Sequence, residues 1–298
     1  MLMRSNRKED DRMSTREKAV EALAATVERK DSFESGYANE PEANVLATVG
    51  ATQRQRALKQ LGDGDGAELK GSDAGKKPHF HAAHSSSALA LNSFAAWIDS
   101  EHELRVDGEG GFEAIQFERK FPTGLHGTPP NLDVYLSRAR NPIAIESKCT
   151  EFLAVHKAKF AESYRQRFDE VAEEDGDSPL PGLYRELDED PGMFRHLDAA
   201  QLVKHALGLW NAKQNGQSDQ YLLLYLYWEP TDAGEYTEFR NHRKDVAEFA
   251  AAMEGDKTIH FRSMSYLDLW DEWASRDLHP GLDAHLRALR SRYAVSLA

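Results

Sequence analysis

Residues 129–151 read PPNLDVYLSRARNPIAIESKCTE, and the reading of 143–148, IAIESK, decides the fold. A run with the apolar character of a strand carries a glutamate and a lysine two positions apart. A buried strand excludes both charges unless something compensates them. Upstream, LDVYL at 132–136 is a second strand-like run, and SRARNP between the two has the composition of a turn. A hairpin symmetric about Ala139 and Arg140 sets Leu136 against Ile143, Val134 against Ile145, and Asp133 against Glu146. Opposed carboxylates about 5 Å apart repel each other. A divalent cation reverses that sign, because hard ions such as Mg²⁺ are held by carboxylates, waters and phosphate oxygens. Lys148 shares the face of Glu146, about 6.6 Å further along by the two-residue period. Two acids and one lysine then converge, an arrangement suited to phosphodiester hydrolysis: a metal polarises the phosphate and lowers the pKa of a water, and the lysine orients that water or stabilises developing charge.

Working outward, FEAIQFERKF at 112–121 alternates, with Ile115, Phe117 and Phe121 on one face and Gln116, Glu118 and Lys120 on the other, as a half-buried strand does. Before it, SSSALALNSFAAWIDSEHEL has Leu91, Phe94, Ala95 and Ile98 at helical spacing behind a serine-rich cap. After the hairpin comes an acidic, Pro/Gly-broken stretch at about 162–191, which reads as an insertion or lid. DAAQLVKHALGLW (198–210) is a helix capped by Asp198, and YLLLYLYW (221–228) is the continuous apolar run of a central strand. A helix near 245–254, a strand TIHFRS, and helices at SYLDLWDEWA and PGLDAHLRALRSRY complete the chain, with no internal repeat. The order predicts an α-β-β-β-α-β sandwich of α/β class with a mixed central sheet.

An acid after a short apolar step, followed by a strand ending in Glu-x-Lys, resembles the signature of the PD-(D/E)xK nuclease superfamily, the restriction-endonuclease-like fold. Here the matching residues are Asp133 in PPNLDV with Glu146 and Lys148 in IESK. The resemblance implies metal ligation by Asp133 and Glu146 and a catalytic role for Lys148, with Mg²⁺, or Mn²⁺ in its place, as cofactor and DNA as substrate. Asn131 and Leu132 stand directly before Asp133 and the proline lies further upstream, a departure at a loosely kept position. Many members carry a further acid upstream. Glu118 is the choice for this third metal ligand, with Glu101 and Glu103 as rivals. Some members also place a glutamine and a basic residue on the following helix, which QLVKH matches through Gln201 and Lys204. Together SSSALALNSF, ESKCTE and QLVKHALGL, spanning roughly 84–228, resemble a bacterial group of restriction-type nucleases.

Each of these residues also has a plain structural reading. Glu-x-Lys occurs on exposed edge strands, Glu118 can pair with basic neighbours on a solvated face, and Gln201 sits at the third position behind Asp198, where a capping box accounts for it. Lys204 and His205 read as solvated helix residues. HFHAAH places His79, His81 and His84 at a spacing that matches no strong zinc pattern and lacks a fourth ligand. Cys149 reads as a small buried residue beside the site.

The 298-residue chain carries a net charge of −13, which argues against indiscriminate nucleic-acid binding. Residues 1–80 hold 14 basic and 14 acidic side chains, leaving 23 basic against 36 acidic for the remainder. Basic groups must therefore be local for a polyanion to bind. Candidates for DNA contact are Lys157, Lys159, Arg165 and Arg167, then Arg240, Arg243 and Lys244, and the C-terminal HLRALRSRY. The first 80 residues read as a largely disordered extension with a short helix at 14–30 and a Gly/Asp-rich linker at 62–78, leaving 81–298 as the nuclease-like domain. No apolar run is long enough for a membrane span or a signal segment, and one cysteine suits a reducing compartment, so a cytoplasmic protein is expected. The functional expectation is a metal-dependent endonuclease of restriction or defence type, with a two-fold dimer suited to cutting both strands. The alternatives are a nuclease-fold protein that binds nucleic acid or a partner protein without catalysis, and a nuclease directed at RNA or at repair structures.

Overall fold

Three strands follow one another over 112–148, and they form three of the five strands of one sheet. The computed structural model describes residues 13–64, 68–71 and 76–298. Of the linker expected at 62–78, residues 65–67 and 72–75 lie outside the described residues, as do residues 1–12 of the expected extension. In chain order the elements are α1 (Thr15–Ala25), β1 (Phe33–Glu34), β2 (Tyr37–Ala38), α2 (Ala51–Asp63), α3 (Ser86–Phe94), β3 (Ala114–Lys120), β4 (Asn131–Ser137), β5 (Ile143–Lys148), α4 (Ser163–Glu174), α5 (Leu180–Glu189), α6 (Ala199–Gln214), β6 (Tyr221–Tyr227), α7 (Thr237–Ala252), β7 (Ile259–Ser265), α8 (Tyr266–Ala274) and α9 (Pro280–Tyr293). The sheet order is β3-β4-β5-β6-β7. β3, β4 and β5 pair antiparallel, whereas β5, β6 and β7 pair parallel. The expected mixed sheet and strand order are present, with β7 added at one edge. No helix of the described residues is long and apolar enough to cross a membrane.

Helices cover both faces of the sheet, whose central strands bury residues on both. All seven residues of β6 are buried, as expected of a strand with parallel neighbours on each side. On β5, Ser147 points to one face, where its Oγ lies 2.7 Å from the Tyr266 hydroxyl of α8 and 3.2 Å from the Ser86 carbonyl of α3. Glu146 points to the other face, toward His205 of α6. On that face Tyr225 of β6 also meets His242 of α7, hydroxyl to Nε2 at 3.0 Å. The result is a three-layer α/β/α sandwich. Gly208 lets α6 lie directly on the end of β3, since a Cβ there would come within 2.5 Å of the Phe121 carbonyl oxygen.

Several expected boundaries are corrected. The helix opening at Ser85 stops at Phe94, and the rest of that stretch is two single 3₁₀ turns, 95–97 and 101–103, separated by Asp99 at φ +74°. The acidic stretch at 162–191 is not a loose lid. It folds as the pair α4 and α5, which buries Phe168, Val171, Leu180, Leu183 and Leu187, with α5 packed on α6.

The largest difference is at the N-terminus, where residues 13–64 are folded into the body rather than disordered. Ser14 caps α1 through a capping box with Glu17. Ala19 and Leu23 of α1 and Ala57, Leu58 and Leu61 of α2 belong to the same core as the sheet. Polar bonds fix the segment to distant elements: the buried Arg292 of α9 donates to the Leu23 and Ala83 carbonyls at 2.6 and 2.7 Å, and Asn92 of α3 accepts from Leu46 N at 2.8 Å. The segment is thus tied to partners both near and far in the chain, from Asn92 to Arg292.

Candidate active site

The β3–β4–β5 register builds the site. Phe117 pairs with Val134 and Arg119 with Leu132, so Glu118 stands opposite Asp133. Continuing the Val134–Ile145 pairing by one residue sets Asp133 opposite Glu146. Glu118, Asp133 and Glu146 therefore form one row across three strands. Beyond the last β4–β5 ladder pair, Asp133 joins the strands with its side chain, its Oδ2 accepting from Ser147 N at 2.7 Å. Glu118 lies in the left-handed region, φ +54°, in mid-strand. A residue without glycine's freedom rarely holds that conformation, and such outliers gather at functional sites. Its effect is visible at once. Arg119 donates to Gln116 Oε1 at 2.9 Å and lies 4.0 Å over the Tyr135 ring, so the regular alternation of β3 breaks at Glu118.

The surroundings of the row set its electrostatics. Lys148 Nζ is 2.5 Å from Glu146 Oε1. His205 Nε2 is 2.8 Å from Glu146 Oε2, an ion-pair contact rather than a formed hydrogen bond, so His205 is what meets this buried oxygen. Burial works to raise the Glu146 carboxyl, yet Lys148 and His205 outweigh it and hold the group down at about 2. Asp133 behaves oppositely: burial, then the charges of Glu146 and Glu118, push it well above the usual carboxylate range. Burial, together with the charges of Glu68 and Glu146, lifts Glu118 to about 7 against the pull of a 3.0 Å bond from Asn131 Nδ2. Burial tends to lower Lys148, but Glu146, Glu151 and Asp133 overcome it and raise the lysine, which keeps it an ammonium. Three acids thus crowd one place with a single cation among them.

The row opens into a cleft of about 1100 Å³, and Glu118, Asp133, Glu146, Lys148 and Gln201 all line it. The five residues singled out in the sequence are therefore brought together. Asp198 Oδ1 accepts from Gln201 N at 3.0 Å, but the reciprocal side-chain bond of a capping box is not made, and the Gln201 side chain faces the cleft. Glu101 and Glu103 lie on their own 3₁₀ turn and do not line the cleft. Lys204 is turned aside, donating to the Lys159 carbonyl at 2.9 Å, and it is not the solvated residue expected. His205 departs furthest from that expectation, being fully buried against Glu146. Its signal was present in the sequence, since it follows Gln201 by four positions and shares a helix face with it.

Other nominated groups fall into structural roles. Among the described residues no three His, Cys, Asp or Glu side chains close into a metal cage, the HFHAAH histidines included. His81 Nδ1 instead lies 2.8 Å from the Ala38 carbonyl. Cys149 is buried and its thiol is pushed well up by that burial. Of the proposed DNA contacts, Arg167 bonds Thr123, Glu170 and Asn211, Arg243 is held by Glu229, and Arg292 is buried. Arg165, Lys244, Arg287 and Arg290 are each in an ion pair.

An α-β-β-β-α-β core that gathers Asp133, Glu146 and Lys148 at the open end of the hairpin is of the restriction-endonuclease-like type. Residues 14–294 match the family described as restriction endonuclease associating with ARP, and the chain belongs to that family. No curated protein and no solved structure matches it. The match begins at Ser14, so it includes the N-terminal segment that packs into the core.

Proposed function

We propose that the protein is a metal-dependent endonuclease that hydrolyses phosphodiester bonds in DNA, in a restriction or defence role in the cytoplasm. The observation that carries this reading is the row Glu118–Asp133–Glu146 opening into the cleft with Lys148 against Glu146. The donor set fits a hard divalent cation. Two of the three carboxyls are raised by burial and then by their neighbours' charges, and one buried oxygen of the third has only the His205 ion-pair contact. A closed protein cage is not required, because Mg²⁺ is held by one or two carboxylates with waters and phosphate oxygens completing its shell. Asp133 and Glu146 would hold the ion, with Glu118 as a further oxygen donor. When bound, Mg²⁺ or Mn²⁺ supplies a Lewis acid for the phosphate and a lowered pKa for water.

The chain's own residues account for the rest. Lys148, kept protonated by its acidic neighbours, stabilises the charge that grows on the phosphate oxygens and orients the attacking water through its N–H groups. His205 backs Glu146 from the buried side and fixes where its carboxylate faces. Gln201, at the start of α6, offers an amide to the phosphate or the water from the helix side of the cleft. Cutting both strands of a duplex suits a two-fold pair of chains.

The test is incubation of supercoiled plasmid with wild type, Asp133→Ala and Lys148→Ala in Mg²⁺, Mn²⁺ or EDTA. Nicking or linearisation that needs the cation and disappears in both variants supports the reading. A folded wild type that cuts neither plasmid, single-stranded DNA nor RNA under any of these conditions overturns it.

A further inference from the structure

A polyanion meets an obstacle here, because the net charge is −13 and the catalytic pole of the cleft is itself acidic. Approach therefore depends on cations elsewhere in the same cleft. Most arginines and lysines nominated from the sequence are neutralised in ion pairs or buried, as described above. The wall that the N-terminal segment lends to the cleft is different. Beside Glu34 and Glu68 it carries Arg16 at the start of α1 and Lys76 and Lys77 in the stretch leading to the 79–81 turn. All three are exposed. Among the described residues neither Arg16 nor Lys76 has an acidic partner. Lys77 has only the exposed Glu34, at 3.5 Å.

Two neighbours add to the character of this wall. Tyr37 of β2 lines it half-buried, with Lys77 Nζ 5.6 Å from its ring. His84 also lines it, and its buried Nδ1 has no hydrogen-bond partner among the described residues. Cations beside an amphipathic ring make a surface that takes a sugar–phosphate chain. We propose that this wall is the DNA-backbone site of the cleft: Arg16, Lys76 and Lys77 hold phosphates flanking the scissile bond while the carboxylate row acts on it. The proposal rests on the nuclease reading and gives the N-terminal segment a function. That segment shares the core of the sheet, so the proposed backbone contacts and the carboxylate row line one cleft of one packed body.

The experiment compares wild type, Arg16→Gln/Lys76→Gln, the charge-keeping Arg16→Lys/Lys76→Arg, and the control Arg185→Gln/Lys257→Gln, whose residues do not line the cleft. Thermal melting first checks that all four fold alike. Anisotropy of a fluorescent DNA duplex in EDTA and in Ca²⁺ gives affinity across a salt series, and plasmid cleavage gives KM and kcat. Each phosphate contact contributes about 0.9 to the slope of log affinity against log salt. The wall predicts that Arg16→Gln/Lys76→Gln lowers the slope by about 2, weakens binding at least about tenfold, and raises KM with kcat little changed, while the control and the charge-keeping variant stay near wild type. Unchanged slope and KM in a wild type that binds and cuts overturn the wall and leave the nuclease reading standing. The predicted slope change in a protein that cuts nothing overturns the nuclease reading and supports the wall. A salt response confined to an RNA of the same sequence overturns the assignment to DNA, and a wild type that neither binds nor cuts overturns both.

Discussion

β5 and β6 lie side by side, parallel and buried except for the last residue of β5, yet IAIESK carries charges where YLLLYLY carries tyrosines. The ladder pairs Glu146 with Tyr225 and Lys148 with Tyr227. Glu146 and Tyr225 are each 1% exposed, so burial alone does not separate them. Their partners do. The Tyr225 hydroxyl meets His242 of α7 within the packed layer. Glu146 is met by Lys148 from its own strand and His205 from α6, keeps one oxygen without a hydrogen bond, and stands in a row of acids that opens into the cleft. Tyr225 thus finishes inside the packed layer, whereas the charges of β5 border the cleft, where a ligand can reach them.

The comparison breaks most visibly in activity. Lys148→Ala is expected to lower cleavage by about 10²–10³-fold, the loss usual for one charge-stabilising donor. Tyr227→Phe, at the paired position on β6, should leave the rate within about twofold, which steady-state kinetics on plasmid would read. Next comes stability. Lys148→Met leaves Glu146 buried without its cation and should cost about 3–5 kcal/mol in urea unfolding, with most of that recovered in Glu146→Gln/Lys148→Met. Near-additive losses in the pair would show that the two charges are not coupled.

A third expectation concerns pH. In the cation-free protein the Glu118 carboxyl is held up at about 7 from an ordinary 4.5. The folded state then keeps the proton more tightly than the unfolded state, so its stability falls as pH rises from about 4.5 to 7, by on the order of 3 kcal/mol. Glu118→Gln should remove that part of the slope, as seen in the difference between the two unfolding profiles, and so should a saturating divalent cation. The smallest effect is on β6: Tyr225→Phe loses one bond to His242 and should cost about 1 kcal/mol without moving metal affinity.

The sheet and the row were legible because both rest on short-range pattern. Alternation at 112–121 and the single hairpin fix the register, and the register by itself puts Asp133 beside Glu146. YLLLYLY was equally plain, since seven apolar residues in sequence can only be a strand buried on both faces. Three features escaped, each for a different reason. The left-handed turn of Glu118 belongs to no propensity, because it is imposed where α2 meets β3: a Cβ on Gly64 would come within 3.1 Å of the Glu118 Cβ, and Gln60 Oε1 accepts from Phe117 N at 2.8 Å. His205 reads by residue type as solvated, although it shares a helix face with Gln201, and the contact with Glu146 appears only once α6 lies on the sheet. The N-terminal segment is charged, and beyond a short helix at 14–30 its docking is not foreseen. Its bonds to Arg292, about ninety per cent of the chain away, cannot be read from composition.

The central claim is that the charges of β5 are kept for a cation, and calorimetric titration of Mn²⁺ into wild type, Asp133→Asn and Tyr225→Phe tests it most directly. The account predicts saturable binding by wild type and by Tyr225→Phe, weakened at least about tenfold in Asp133→Asn. Equal binding by all three, or none by a folded wild type, would contradict it.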